Sequence, residues 1–247
     1  MLMPIPIRSR LKRCALALLL PVFSAPAYAG TLDLRVAAAS EELFRGVVQN
    51  NSATGILRAD YRFASRVYIG SRLLNNRSAG GAQFDAYAGY AQGVVLFDLI
   101  PVGLDAGINV SAYGGDRQGP QQRDLDWAEA YFSVDSGPLR GTLAFAPDYF
   151  GTGAAAWRAA GQLRWPFTPT FDATAVLGWN DGDGVRRHTA IRGGGAAYAD
   201  YSLVLTRQLP ARFAIYGQIS GASQRLDDSA RPRGLIGLRW RWGTQLP

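Results

Sequence analysis

Charged side chains recur at every second position along several apolar stretches of this 247-residue chain. Arg58, Asp60 and Arg62 alternate with Leu57, Ala59, Tyr61 and Phe63; Arg158, Gln162 and Arg164 alternate with Trp157, Ala159, Gly161, Leu163 and Trp165. A period of two sorts residues onto the two faces of a strand, and no helix would separate them this way. Taken by parity, one face collects Arg35, Arg58, Arg62, Arg66, Arg72, Arg140, Arg158, Arg164, Arg239 and Arg241 against Asp33, Asp60, Asp85, Asp105, Glu129, Asp172 and Asp200. Such a set has two uses. Lining a narrow aqueous path, the excess of arginine raises the potential for negative solutes and favours anions weakly. Paired into a ladder, the same groups fill the space between them and close it.

Other residues offer different chemistry. Phe44-Arg45-Gly46 follows the first strand-like run. It suits either a loop folded inward, with Arg45 at a constriction, or a loop base where Gly46 turns the chain and Arg45 pins a carboxylate. His188 is the one histidine and lies among Arg186, Arg187 and Arg192 in a long connection. A serine brought near it from elsewhere would make a lipase-like pair, whereas no serine lies beside it in sequence, so a solvated loop histidine and no enzyme are expected. Asn180-Asp181-Gly182-Asp183-Gly184 has the oxygen density of a calcium loop but lacks a closing glutamate, and Asp227-Asp228 is flanked by arginines. No metal site and no cofactor are expected.

The elements that must position these groups are strands. A basic start (Arg8, Arg10, Lys12, Arg13), an apolar stretch from Cys14 to Pro21 and Ala27-Tyr28-Ala29 form a secretory leader over residues 1–29, with the mature chain expected from Gly30. The lone cysteine, Cys14, and the lone lysine, Lys12, belong to that leader, so a disulfide is excluded from the mature chain. The net charge of +7 falls to about +3 once the leader is removed, which is no nucleic-acid footprint. After the leader no run of eighteen apolar residues occurs, yet 48% of the residues are apolar.

Twelve alternating segments begin near Leu32, Gly55, Arg66, Phe84, Leu104, Asp124, Leu139, Ala155, Phe171, Ala196, Phe213 and Gly234. Connections after the odd segments are mostly long, polar and glycine-rich; those after the even ones are tight. None of the long connections is large enough to fold alone, and none holds an aromatic cluster in sequence. Phe63, Phe132, Trp165, Phe167, Phe171, Phe213, Trp240 and Trp242 fall toward the short turns, and Phe84, Trp157 and Trp179 toward the long loops. Two aromatic girdles, apolar residues on one face and charges on the other fit a membrane barrel; a soluble barrel would reverse the faces. The fold expected is all-β: a transmembrane antiparallel up-and-down β-barrel of about twelve strands over 30–247, with long extracellular loops and short periplasmic turns, in a bacterial outer membrane. Gly243 to Pro247 follow the last aromatic and read as a short tail.

Ser40-Glu41-Glu42-Leu43-Phe44-Arg45-Gly46, Phe84-Asp85-Ala86-Tyr87-Ala88-Gly89-Tyr90, Ala128-Glu129-Ala130-Tyr131 and Tyr198-Ala199-Asp200-Tyr201 resemble the spaced motifs of the TorF family of outer-membrane porins. The resemblance spans nearly all of the mature chain and implies a barrel and a pore without naming a solute. The function expected is a small passive pore for hydrophilic solutes. Its alternative is a closed scaffold barrel that presents loops or binds an envelope partner. Expected partners are membrane lipid and lipopolysaccharide, the barrel-assembly machinery during biogenesis and small solutes.

Overall fold

The computed structural model describes residues 30–76, 81–114, 125–190, 197–223 and 231–246. The leader expected over 1–29 and the Asp227-Asp228 pair lie outside them. Fourteen strands follow in order: β1 (Gly30–Ala39), β2 (Glu42–Phe44), β3 (Val47–Asn50), β4 (Thr54–Phe63), β5 (Val67–Asn76), β6 (Gly81–Leu96), β7 (Ile100–Gly114), β8 (Trp127–Ser136), β9 (Leu139–Ala146), β10 (Ala156–Thr168), β11 (Phe171–Asp181), β12 (Tyr198–Gln208), β13 (Phe213–Ala222) and β14 (Arg233–Leu246). A helix, α1 (Asp183–Ala190), lies between β11 and β12.

Twelve of the strands close into one antiparallel barrel, each bonded to its sequence neighbour, with β1 joined to both β4 and β14. Strands β2 and β3 form a separate hairpin within the first long connection. The alternating pattern explains the wall. Leu177 and Ile236 are each 64% exposed on the outer face, while Asp85 and Asp200 are 4% exposed on the inner one. A soluble fold would bury the first pair and hydrate the second; here the outer face is built for a hydrocarbon solvent, which also satisfies the rule that every backbone group within it be paired. Among the described residues no helix is long and apolar enough to cross a membrane.

The short connections all lie at one end of the barrel and the long ones at the other. Gly137, with φ +56°, and Pro138 link β8 to β9, while Phe97 and Asp98 adopt φ near +54° and +55° between β6 and β7. Positive φ at the central residues gives the turn a twist that matches the flanking strands. Two sequence expectations change at this end. Arg66 is a turn residue with φ +72°, its N–H bonded to the Phe63 carbonyl, because a one-residue offset moves the start of β5 to Val67. Residues Gly243 to Leu246 are not a hanging tail: they extend β14 and pair with Asp33, Leu32, Thr31 and Gly30 of β1. Closure demands this, since the start of β1 would otherwise present unpaired edge groups.

Candidate functional site

Strand register sets four arginines side by side. Arg241 of β14 faces Arg35 of β1, Arg35 faces Arg58 of β4, and Arg58 faces Arg72 of β5, which in turn faces Asp85 of β6. One step toward the turn end, Asp33 faces Asp60. Adjacent guanidinium groups repel, so the acidic row stitches them together. Asp33 accepts from Arg35 Nε at 2.6 Å and from Arg241 Nε; Asp60 accepts from Arg58 Nε and Nη2 at 2.8 and 3.0 Å. Arg72 donates from Nε to Asp85 at 2.7 Å and from Nη1 to Glu42 at 3.3 Å. A guanidinium carries five donors, of which the bonds just described engage one or two, while the carboxylates of the row are occupied.

Tyrosines continue the same wall across β5, β6 and β8. The Tyr68 hydroxyl donates to Asp105 Oδ1 at 2.5 Å and contacts the Tyr131 hydroxyl, and Arg140 Nη2 donates to Asp105 Oδ2 at 2.7 Å. Tyr87 donates to Asp60. These rings lie flat because their cross-strand partners are glycines: a Cβ at Gly70, Gly89 or Gly107 would run into Tyr87, Tyr68 or Tyr131. The arginine row and these tyrosines line a cavity of about 800 Å³. Of the residues expected to line a lumen, Arg35, Arg58, Asp60, Arg62, Arg72, Asp85, Asp105, Glu129 and Arg241 border this cavity. Arg158, Arg164, Asp172, Asp200 and Arg239 do not. Arg158 pairs with Asp200 at 2.8 Å and Arg164 with Asp172 at 3.2 Å, and the Asn180 amide also donates to Asp200 at 2.7 Å. Among the described residues no carboxylate lies within ion-pair distance of Arg62 or Arg239; the Arg62 guanidinium lies 6.0 Å from the Tyr68 ring.

The loop end carries the apolar core of the molecule. Tyr113, Trp127 and Tyr198 from strand ends meet Tyr149 and Phe150 from a 3-10 turn and Val185 from α1, all buried, with Phe44 of β2 packed against them. Phe150 stacks on Trp127 at 5.1 Å and on His188 at 4.6 Å. His188 is therefore half-buried against aromatic rings and not the solvated loop residue its charged neighbours suggested; α1 turns it inward while Arg186 and Arg187 stay exposed. Three connections that hold no aromatic cluster in sequence thus form one in space. Asp181 and Asp183 both pair with Arg186, and no metal-binding cluster of His, Cys, Asp or Glu occurs among the described residues.

Arg45 occupies the centre of that core. Its φ of +50° and the +77° of Gly46 make the tip of the β2–β3 hairpin, which folds inward until a Cβ at Gly46 would collide with the Gly221 carbonyl. The guanidinium carbon stands 4.7, 5.3 and 5.9 Å from the ring centres of Phe44, Trp127 and Tyr149, and Nη2 bonds Glu129 Oε2 at 2.6 Å. Burial works against the Arg45 charge, but Glu129 more than offsets it and holds the group above its ordinary pKa. Burial also pushes the hairpin carboxyl Glu42 up, with Arg72 opposing and Asp85 adding to the shift. Arg45 thus pins a carboxylate, Glu129, while Gly46 turns the chain.

The charge alternation points neither to the tyrosine–glycine pairs nor to the aromatic core. Tyrosine opposite glycine across a strand pair was the available signal for the first; the second joins segments too far apart for any local pattern.

Solved structures with the same fold include the KdgM porin, determined alone and in complex with disordered oligogalacturonate. That likeness has a TM-score of 0.52 at 12% identity, over 85% of this chain and 98% of the porin. An outer-membrane channel from Pseudomonas putida F1 aligns at 14% identity and TM-score 0.41 over 89% of this chain and 96% of its own. No curated protein matches the chain in sequence. A family model described as a bacterial protein of unknown function (Gcw_chp) matches residues 24–226, and the chain belongs to that family.

Proposed function

We propose that this chain is a passive outer-membrane pore for small hydrophilic solutes, with a weak preference for anions. Residues 1–29 direct export, the long connections lie outside the cell and the short turns face the periplasm. Lipid and lipopolysaccharide contact the apolar outer face, and the barrel-assembly machinery inserts it. The resemblance to the TorF family of porins agrees with this reading. What carries it is the run of Arg241, Arg35, Arg58 and Arg72 along one wall of a polar cavity, each guanidinium with donors to spare. An anion moving along that wall exchanges one fork for the next, whereas a cation meets carboxylates already engaged. The KdgM porin, with its oligogalacturonate complex, is a barrel of the same fold that holds an anionic ligand.

The pore does no bond-making chemistry, and His188 acts through packing. A second reading, the closed scaffold barrel, draws on the aromatic core across the loop end. Single-channel recording of the refolded mature chain in a planar bilayer separates the two. Stable conductance steps with a reversal potential on the anion side are expected of the pore; a silent membrane from folded protein rejects it in favour of the scaffold.

A further inference from the structure

We propose that the aromatic cage around Arg45 is a cation-binding site, filled in this state by the chain's own guanidinium, and that filling it holds the loop end shut. The opening readout rests on the pore reading above; the binding readout does not. Trp127 and Tyr149, with Phe44 of the hairpin itself, set three rings within 6 Å of the guanidinium carbon, and together with one carboxylate these are the groups by which proteins hold free organic cations. The Arg45 and Glu129 side chains are 11% and 14% exposed, so solvent screens the pair little.

The occupant arrives on a weak carrier. Strands β2 and β3 have three and four residues, and an isolated two-stranded sheet of that length has little stability of its own. Besides Arg45 in the cage, its docking rests on Phe44 against Trp127 and Phe150, Gln49 on the Tyr113 hydroxyl, Asn50 on the Asn75 carbonyl, Glu42 on Arg72 at 3.3 Å, Glu41 on Arg233 at 3.4 Å, and Gly46 against Gly221. The hairpin is thus a tethered ligand, and tethering makes the local concentration of its cation far higher than that of a free one. The occupant sets the ligand class. A planar guanidinium stands 5.3 Å from the Trp127 ring centre while its Nη2 donates to Glu129 at 2.6 Å, so a flat ion with several donors fits the site. The site takes guanidinium and small guanidino compounds.

Chemical rescue tests this. The barrel is refolded in detergent, its folding checked by the gel shift on heating, and the hairpin probed by limited chymotrypsin cleavage after Phe44. Arg45→Ala is expected to raise cleavage roughly tenfold, the loss of a buried pair and its ring contacts. Guanidinium chloride at non-denaturing concentration restores protection saturably, sodium chloride at equal ionic strength does not, and the Arg45→Ala, Glu129→Gln double variant is not rescued. In a bilayer the same single variant shows longer open times that guanidinium shortens. Cleavage unchanged by Arg45→Ala, or restored equally by sodium chloride, overturns the proposal. Should that variant not fold, Glu129→Gln carries the test: hairpin release supports the site and unchanged protection overturns it. Silent bilayers beside guanidinium-dependent protection leave the cation site standing and remove the pore.

Discussion

Replacing Arg35 and Arg58 together with glutamine tests the arginine row directly. Six arginines (Arg35, Arg58, Arg62, Arg72, Arg140, Arg241) and five carboxylates (Asp33, Asp60, Asp85, Asp105, Glu129) border the cavity, an excess of one positive charge. Removing two turns that excess into a deficit, and Asp60 loses its bonds to Arg58. A unit charge acts on an ion about 8 Å away with roughly 0.5 kcal/mol in water. Two lost charges thus disfavour chloride and favour potassium by about 1 kcal/mol each before salt screening. With screening over about one Debye length, the chloride-to-potassium permeability ratio should fall about fivefold, enough to invert a weak preference. The assay is reversal potential across a salt gradient in a planar bilayer, with Arg212→Gln in the β12–β13 turn as a control that leaves it unchanged. A double variant that folds and conducts but keeps the wild-type reversal potential would refute the assignment of selectivity to this row.

Three further outcomes are expected. The docked Glu42 carboxyl has a raised pKa while a released hairpin would return it to its ordinary value, so the docked state binds the proton more tightly; protonation favours docking below the raised pKa, and that stabilisation is lost as pH rises through it. Channel closure should therefore increase on acidification toward pH 4.5, the ordinary value for Glu42, and Glu42→Gln should abolish the trend; acid-induced opening would contradict it. Gly89→Ala drives a Cβ into the Tyr68 ring and is expected to lower folding stability by about 1–3 kcal/mol in urea titrations, with Tyr68→Ala relieving part of the loss; an additive double variant would argue against that contact. Ala211 holds φ +58° in the β12–β13 turn, so Ala211→Gly should raise the urea midpoint by up to about 1 kcal/mol of stability, and a lowered midpoint would show that its methyl packs usefully.

Alternation alone was enough to place the strands. Leu104 to Tyr113 and Phe171 to Asn180 fall within β7 and β11, and the long-short rhythm of connections put all six long ones at one end, because a strand's two faces meet different solvents and every residue records which. The arginines and carboxylates that border the cavity fall on the face that parity sorts with the charges, for the same reason. Arg66 escaped, since parity fails where a turn begins. Residues 243–246 escaped as well, since no local feature says that β1 needs a partner along its whole length. Which charges share a cavity was a matter of register: Arg158 and Arg35 look alike in sequence, but only the second stands in the row with Arg58 and Arg241. The aromatic core was least legible of all. Phe44, Trp127, Phe150 and His188 come from four separate segments, and only chain closure brings them within ring-contact distance. Sequence by itself thus determined the barrel, its strand count and its inner face, because those depend on a two-residue period. Tertiary structure alone decided which residues meet at the loop end, because that depends on contacts between residues whose separation along the chain carries no periodic trace.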